Sequence, residues 1–445
     1  MEGRRTAPPV LIMTSSSSES TAAGAQAEAG GPAGIQGPEI AAVEALSPVP
    51  GVTRNVFLLG VVSLVADIAS EMAYPLIPVF LTSTLGAPVA AMGAIEGVAE
   101  GTASSLKVAS GWFSDRVGRR KELVTAGYAL SALGKALLAL AFVWPQVFIA
   151  RFVDRFGKGV RTSPRDALIA DGTPLSLLGR AFGFHRAMDT AGAVVGPLIA
   201  LLLVGAFSLP IRTVLLVAVV PGVVTVALLL ALVRDIPVKG AVPAEAGDPP
   251  SRAPSAYWAF LAVVLVFAIG NSSDTFLILR AKDVGLSVSL VVVAYVAFNI
   301  SYTLLSMPAG VVSDRVDRRL LYTLGLVIFG LVYLGFAWLP STAWVWPLFV
   351  VYGCYMALTE GTGRALVAEA APSGQRGTFL GLYHTSVGLA AVLASVMAGL
   401  LWQTVAPAAP FAVGAGMAFA AAALMLLLVA MGPGLKTTGT LPPPQ

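Results

Sequence analysis

The sequence predicts an all-α membrane protein with about twelve transmembrane helices in two six-helix pseudo-repeats. Three observations predict it. The 445 residues are 56% hydrophobic and only 12% charged, with a mean hydropathy of +0.82, whereas soluble domains are about a quarter charged. Apolar blocks of roughly 20 residues recur, each long enough to cross about 30 Å of hydrocarbon as a helix. GWFSDRVGRR at Gly111 also returns as GVVSDRVDRR at Gly310, an offset of 199.

Only helices and closed barrels satisfy backbone polar groups in lipid. Runs such as VLLVAVVPGVVTVALLLALV are continuous and lack the alternation of barrel strands. Spans are expected to begin near Asn55, Ala87, Glu122, Trp144, Arg180 and Ile211. After a polar, Pro-rich break, six more begin near Tyr257, Ser287, Leu320, Trp344, Gly377 and Pro410. The expected organisation is a disordered tail (1–53), a six-helix bundle (54–235), a linker (236–256), a second six-helix bundle (257–432) and a disordered tail (433–445). The proline-broken N-terminus does not read as a signal peptide.

The connecting loops alternate in charge. LTSTLGAPVA, FVWPQ, WLPSTAW and WQTVAPAAP carry no Lys or Arg, whereas DRVGRRK, GVRTSPRDALIAD, DRVDRR and SGQRG do. The positive-inside rule places the basic set, the linker and both termini in the cytoplasm. This accounts for the net charge of +4 and the pI near 9.2. No basic segment has the interleaved aromatics of a nucleic-acid site. The single cysteine, Cys354, excludes an internal disulfide, and its apolar surroundings predict a buried thiol.

An intramembrane charge costs several kcal/mol unless it is paired or faces water. The chain nevertheless places many there. Asp67 and Glu71 lie one turn apart in span one, and Glu96, Glu100 and Lys107 fall in span two. Lys135 lies in span three, and Arg151, Asp154, Arg155 and Lys158 form one helical stripe in span four. Beyond about Arg161 the sequence TSPRD reads as the start of a loop. These five acids and five bases predict an inward-facing ionic network in which Asp67 or Glu71 exchanges a proton and the bases set its affinity. The second half is sparser, with Asn271 and Asp274 in span seven, Asn299 in span eight, and Glu360 with Arg364 in span ten. Asp154–Lys158 and Glu360–Arg364 read as matching i, i+4 pairs. The two histidines, His185 and His384, are also 199 apart. They read either as hydrogen-bonded structural residues or as a pair handling protons or a metal ion.

Gly111, Asp115, Arg116, Gly118, Arg119 and Arg120 form G-x-x-x-D-R-x-G-R-R, which resembles the loop signature of the major facilitator superfamily. The second copy, with Asp314 and Arg315, has Asp317 in place of the second glycine. Arg155, Lys158 and Gly159 resemble the fourth-helix signature, with Lys in place of Gln. Gly192, Gly196 and Pro197 resemble the fifth-helix signature of the superfamily's antiporters. The run from Asp154 to Asp171 is similar to an exporter-like bacterial branch in which one magnetosome-linked relative is associated with iron. The resemblance implies a monomeric secondary transporter in the bacterial inner membrane, working by alternating access. It also implies that Asp115 gates by holding a neighbouring helix end, and that the Gly192–Pro197 region closes leakage paths.

The expected function is proton-coupled efflux of a small molecule. A metal ion (iron included) or its chelate, or an organic anion, stays open as substrate. A transport-incompetent receptor or scaffold is the remaining alternative. No HExxH, GxSxG or phosphate-binding loop is present, so neither an enzyme nor an ATP-driven pump is expected, and no cofactor.

Overall fold

The computed structural model describes residues 47–236, 254–339, 341–372 and 374–431. The tail expected before residue 47, the linker at 237–253 and the tail from 432 lie outside the described residues.

Twelve long helical spans cross the described chain. In the first half they are α1 (Arg54–Ala73), α2 (Val89–Val117), α3 (Arg120–Ala139), α4 (Trp144–Asp171), α5 (Leu178–Leu201) and α6 (Ile211–Leu232). Short turns carry α1 on to Thr84, and a π-turn carries α5 on to Ala206. The second half begins with a broken span, α7a (Ser255–Gly270) and α7b (Thr275–Asp283). It continues with α8 (Val288–Ser313), α9 (Arg318–Ala337), α10 (Val345–Ala370), α11 (Arg376–Thr404) and α12 (Ala409–Ala430).

Nine described spans are long and apolar enough to cross a membrane by composition alone. The three long helices outside that set are α2, α3 and α4, which carry most of the first half's embedded charge. Their polarity is tolerable only because they turn it inward, toward each other and toward the second half.

The helix ends follow local chemistry. Thr53 caps α1 by accepting from the Val56 amide, and Ser287 caps α8 through the Leu290 amide. Gly118 ends α2 at φ +68°, a left-handed conformation that favours glycine. At the matching turn Asp317 instead caps α9, accepting from the Arg319 amide at 2.9 Å. The second motif copy therefore departs from the first because its turn ends in a capped helix start.

Two expectations are corrected. The stretch after Arg161 is not a loop: α4 runs unbroken through Pro164 to Asp171. Proline costs a membrane helix less than a soluble one, because neighbouring hydroxyls and helices take up the freed backbone groups. Here the Thr162 hydroxyl bonds the Lys158 carbonyl at 2.6 Å, and Ser163, Pro164, Arg165 and Asp166 are all buried. Cys354 is half-buried rather than buried.

The halves meet along two pairs of helices, α2 with α11 and α5 with α8. Both pairs close at the end that carries the DRVGRR and DRVDRR turns, through glycines. A Cβ on Gly377 would lie 2.6 Å from the Gly111 carbonyl oxygen, and one on Gly183 2.5 Å from the Ser306 carbonyl oxygen. Small residues let the backbones touch, which is how membrane helices pack without a hydrophobic driving force. Gly101, by contrast, faces open space.

Candidate functional site

The closed end is tied by two matching ionic clusters, one from each half. Asp115, on the last turn of α2, accepts from the Gly377 amide at 3.0 Å and the Thr378 amide at 2.6 Å. It also accepts from the Thr378 hydroxyl at 2.7 Å. These groups form the N-terminus of α11, whose free amides favour an anion. Asp314, just after α8, accepts from the Gly179 and Arg180 amides at the N-terminus of α5, each at 2.8 Å. Behind each aspartate stands a buried arginine that links it to a second acid. Arg120 lies 2.9 Å from Asp115 and 2.8 Å from Asp171. Arg318 lies 2.8 Å from Asp314 and 2.7 Å from Glu369. Among the motif bases, Arg116 stacks on Trp112, Arg119 makes an exposed pair with Glu122, and Arg315 is exposed. Arg120 and Arg318 are thus the bases that meet the gate aspartates.

Above this gate lies a buried network that crosses the halves. Asp166 is fully buried and meets Arg165 at 3.1 Å, Arg364 at 3.7 Å and the His384 Nε2 at 2.9 Å. Asp189 accepts from the Ser63 hydroxyl at 2.6 Å and Arg186 at 2.7 Å, with Arg165 3.9 Å away. Arg186 also donates to the Tyr302 hydroxyl of α8, and Arg364 pairs with Glu360 at 3.2 Å. Glu360–Arg364 is therefore an ion pair, but its counterpart in the first half is not Asp154–Lys158. Arg364 matches Arg165 at the 199-residue offset, and Asp154 pairs instead with Lys135 at 3.2 Å and Arg151 at 3.3 Å. His185 is fully buried beside this network, and neither ring nitrogen has a hydrogen-bond partner among the described residues.

Most predicted first-half residues gather around a small polar pocket of about 50 Å³. Its walls include Asp67, Glu71, Lys135, Arg151, Asp154, Arg155, Lys158 and Arg161. Arg155 lies 3.9 Å from Glu100. Arg161 donates to the Ser131 hydroxyl at 2.6 Å and covers the Tyr128 ring. Lys107 lies on the α2 face that meets α11, where a Cβ on Gly381 would crowd its carbonyl. The Glu96 side chain lies outside the described set. The fifth-helix motif packs directly on the span-one acids. A Cβ on Gly192 would lie 2.8 Å from the Asp67 Cβ, and one on Gly196 2.9 Å from the Glu71 Cβ. Asp67 then faces the Asp189 carboxyl within hydrogen-bonding range.

A much larger cavity, about 1110 Å³, lies between the halves beyond the network. It extends toward the end opposite the gate, where Leu201 and Val396 are exposed. Glu71 and Glu100 reach it from the first half, and Asn271, Asp274, Asn299 and Glu360 from the second. Pro197 lines it as well, along with Tyr74, Tyr295 and Tyr352. Sequence reasoning missed the hub residues Arg165 and Asp166, read Arg186 and Asp189 only as neighbours of His185, and missed the tyrosines. The first two were hidden by the loop reading of TSPRD, and no spacing pattern marks the tyrosines. Among the described residues no three His, Cys, Asp or Glu side chains group as a metal cage.

The comparisons with known proteins agree with this architecture. An uncharacterised MFS-type transporter of Methanocaldococcus jannaschii is 34% identical over 383 residues, covering 84% of this chain and 95% of its own. Multidrug resistance protein MdtH of Photorhabdus laumondii is 32% identical over 128 residues, 29% of this chain and 32% of its own. The human organic anion transporter MFSD10 superposes with a TM-score of 0.69 at 17% identity, covering 84% of this chain and 99% of its own. FucP in its outward conformation superposes with a TM-score of 0.68 at 14% identity, covering 84% and 98%. The Major Facilitator Superfamily profile matches residues 59–280 and 259–443, and the chain belongs to that family of integral membrane transporters, which are not enzymes.

Proposed function

We propose that this transporter exports a small molecule in exchange for protons, by alternating access. The observation that carries the reading is the large cavity between the halves, closed at one end by the two aspartate gates. The gate end bears the basic turns, so the positive-inside rule assigns it to the cytoplasm and the cavity to the outward-facing state. In the proposed scheme Asp67 carries the proton. Two carboxyls in contact cannot both stay charged at low cost, and Asp189 is held as the anion by Ser63 and Arg186. Deprotonation of Asp67 would repel Asp189 and pull on the network that reaches Asp166, Arg364 and His384 across the halves. Glu71, one turn on and beside the basic pocket, is the second candidate carrier. The efflux direction is supported by the partial similarity to a multidrug resistance protein. The metal-ion alternative lacks a cage among the described residues.

The test is purified protein in liposomes with an imposed pH gradient and a panel of organic cations, organic anions and metal ions. Uphill movement of one substrate, coupled to proton flux and abolished by collapsing the gradient, is expected. Gradient-independent equilibration, or no flux of any panel member, would refute proton-coupled transport.

A further inference from the structure

We propose that the break in α7, Asn271–Asp274, recognises a positively charged organic group, and that the transported molecule is an amphipathic organic cation. This rests on the transport reading above and names its substrate class. Among the described residues the cavity wall carries Glu71, Glu100, Asp274 and Glu360, and no Lys, Arg or His. Three of these acids have bases at hand: Arg155 lies 3.9 Å from Glu100, Arg364 lies 3.2 Å from Glu360, and Glu71 also lines the basic pocket with Arg151, Arg155 and Lys158. Asp274 differs. Its partner is the Tyr352 hydroxyl at 2.7 Å, and among the described residues no base lies within ion-pair distance. A carboxylate at membrane depth with no cation is costly, and such residues mark substrate or ion pathways.

The surroundings specify what kind of cation fits. Tyr295 lines the cavity, 37% exposed and with its ring 5.5 Å from that of Phe298, while Phe298, Tyr352 and Tyr355 are buried behind it and Tyr352 turns its hydroxyl to Asp274. Aromatic faces beside a carboxylate attract organic ammonium and phosphonium groups. The opposite wall is apolar, with Val194, Leu198, Val392 and Val396, and suits a hydrophobic body. The unwound backbone fits this role, because non-helical chain at membrane depth is tolerated where it lines a cavity. A bare metal ion would not need 1110 Å³ of largely apolar space. An organic anion would find its counter-charge in the basic pocket, which at about 50 Å³ has room for a water or two and lies behind Glu71 and Tyr74.

The test uses the full-length protein in nanodiscs with no gradient, titrated with radiolabelled tetraphenylphosphonium. Saturable binding is expected, weakened about tenfold or more by Asp274→Asn and largely restored by Asp274→Glu. Excess p-aminohippurate, an organic anion, should not displace the probe. Absence of saturable binding, wild-type affinity in a folded Asp274→Asn protein, or displacement by p-aminohippurate would each overturn the proposal. Should Asp274→Asn not fold, Tyr295→Leu decides: a severalfold loss supports the site and unchanged affinity refutes it. Binding is read without a gradient, so its failure leaves proton-coupled flux of another substrate standing. Binding without gradient-driven flux would instead overturn the coupling and keep the site.

Discussion

At the scale of single residues, the pairing of Asp67 with Asp189 separates a proton carrier from a structural acid. Asp189 has Ser63, Arg186 and Arg165 around it, whereas Asp67 faces another carboxyl. Asp67→Asn should therefore abolish uphill, pH-driven transport while leaving downhill exchange and thermal stability near wild type. Asp189→Ala should behave differently, because it removes the carboxylate that Arg186 pairs with at 2.7 Å, a loss worth about 3–5 kcal/mol. Uphill transport by Asp67→Asn in proteoliposomes would remove the carrier assignment. The histidines divide in the same way. His384 bonds Asp166 across the halves, while His185 is buried with no bonded ring nitrogen. His185→Phe should thus leave melting temperature and transport unchanged or slightly improved, since it removes unsatisfied polar atoms. His384→Ala should lower the melting temperature, by roughly 1–3 kcal/mol in stability. Equal effects of the two changes would count against this division. Much of this was legible in the sequence: charged residues are so improbable in lipid that Asp67, Glu71, Lys135 and Arg151–Lys158 stood out by type alone. Which acid meets which base was not legible, because helix spacing gives the face of one helix and not the rotation of its neighbour. Asp154 consequently pairs with Lys135 of α3 and not with Lys158 of its own helix.

At the scale of elements, the gate is a carboxylate lodged on a helix N-terminus of the opposite half. Asp115→Asn keeps one oxygen acceptor but loses the charge that both α11 and Arg120 attract. Transport should slow by about tenfold if the closed state loses ~1.4 kcal/mol, with insertion and fold intact; normal turnover would count against gating. Arg120→Ala is harsher, since it leaves Asp115 and Asp171 buried without their shared base, and should destabilise by about 3–5 kcal/mol. Gly111→Val tests the same closure without touching charge, because any Cβ there runs into the Gly377 carbonyl. It should favour the state open at the gate end, read as faster alkylation of a cysteine placed at Ser163. Helix starts were readable within a few residues because apolar runs and caps mark them. The extension of α4 past Pro164 was not, since a proline and five polar residues mimic a turn until other helices supply their partners. The break in α7 was equally hidden: NSSD in an apolar run reads as polar residues within one span. Only the cavity beside it explains why the helix can stop there.

At the scale of the whole molecule, the two halves repeat their mechanics as well as their sequence. Asp115 and Asp314 occupy corresponding places, and Arg120 with Asp171 and Arg318 with Glu369, one residue off that register, play matching parts in holding α11 and α5 respectively. A symmetric lock of this kind is released as a unit, because freeing one helix N-terminus also lifts the glycine contacts that bring the backbones together. The Asp166 and Asp189 network lies between the lock and the cavity, so a change of charge beside Asp189 bears on both. If this arrangement is one end-state of alternating access, the two ends must move in opposite senses. Spin labels at Leu201 and Val396 flank the open mouth from different halves, and labels at Arg116 and Arg315 flank the closed end. With Cys354 replaced by Ser, the first pair should shorten and the second lengthen when both the organic cation and a lowered pH are supplied. Asp67→Asn should bias the same two distances without any change of pH, since it fixes the neutral state at that position. The measurement is a pair of dipolar distance distributions in nanodiscs. Parallel movement of both pairs, or a response at one end alone, would mean that the gate and the cavity are not the two faces of one switch.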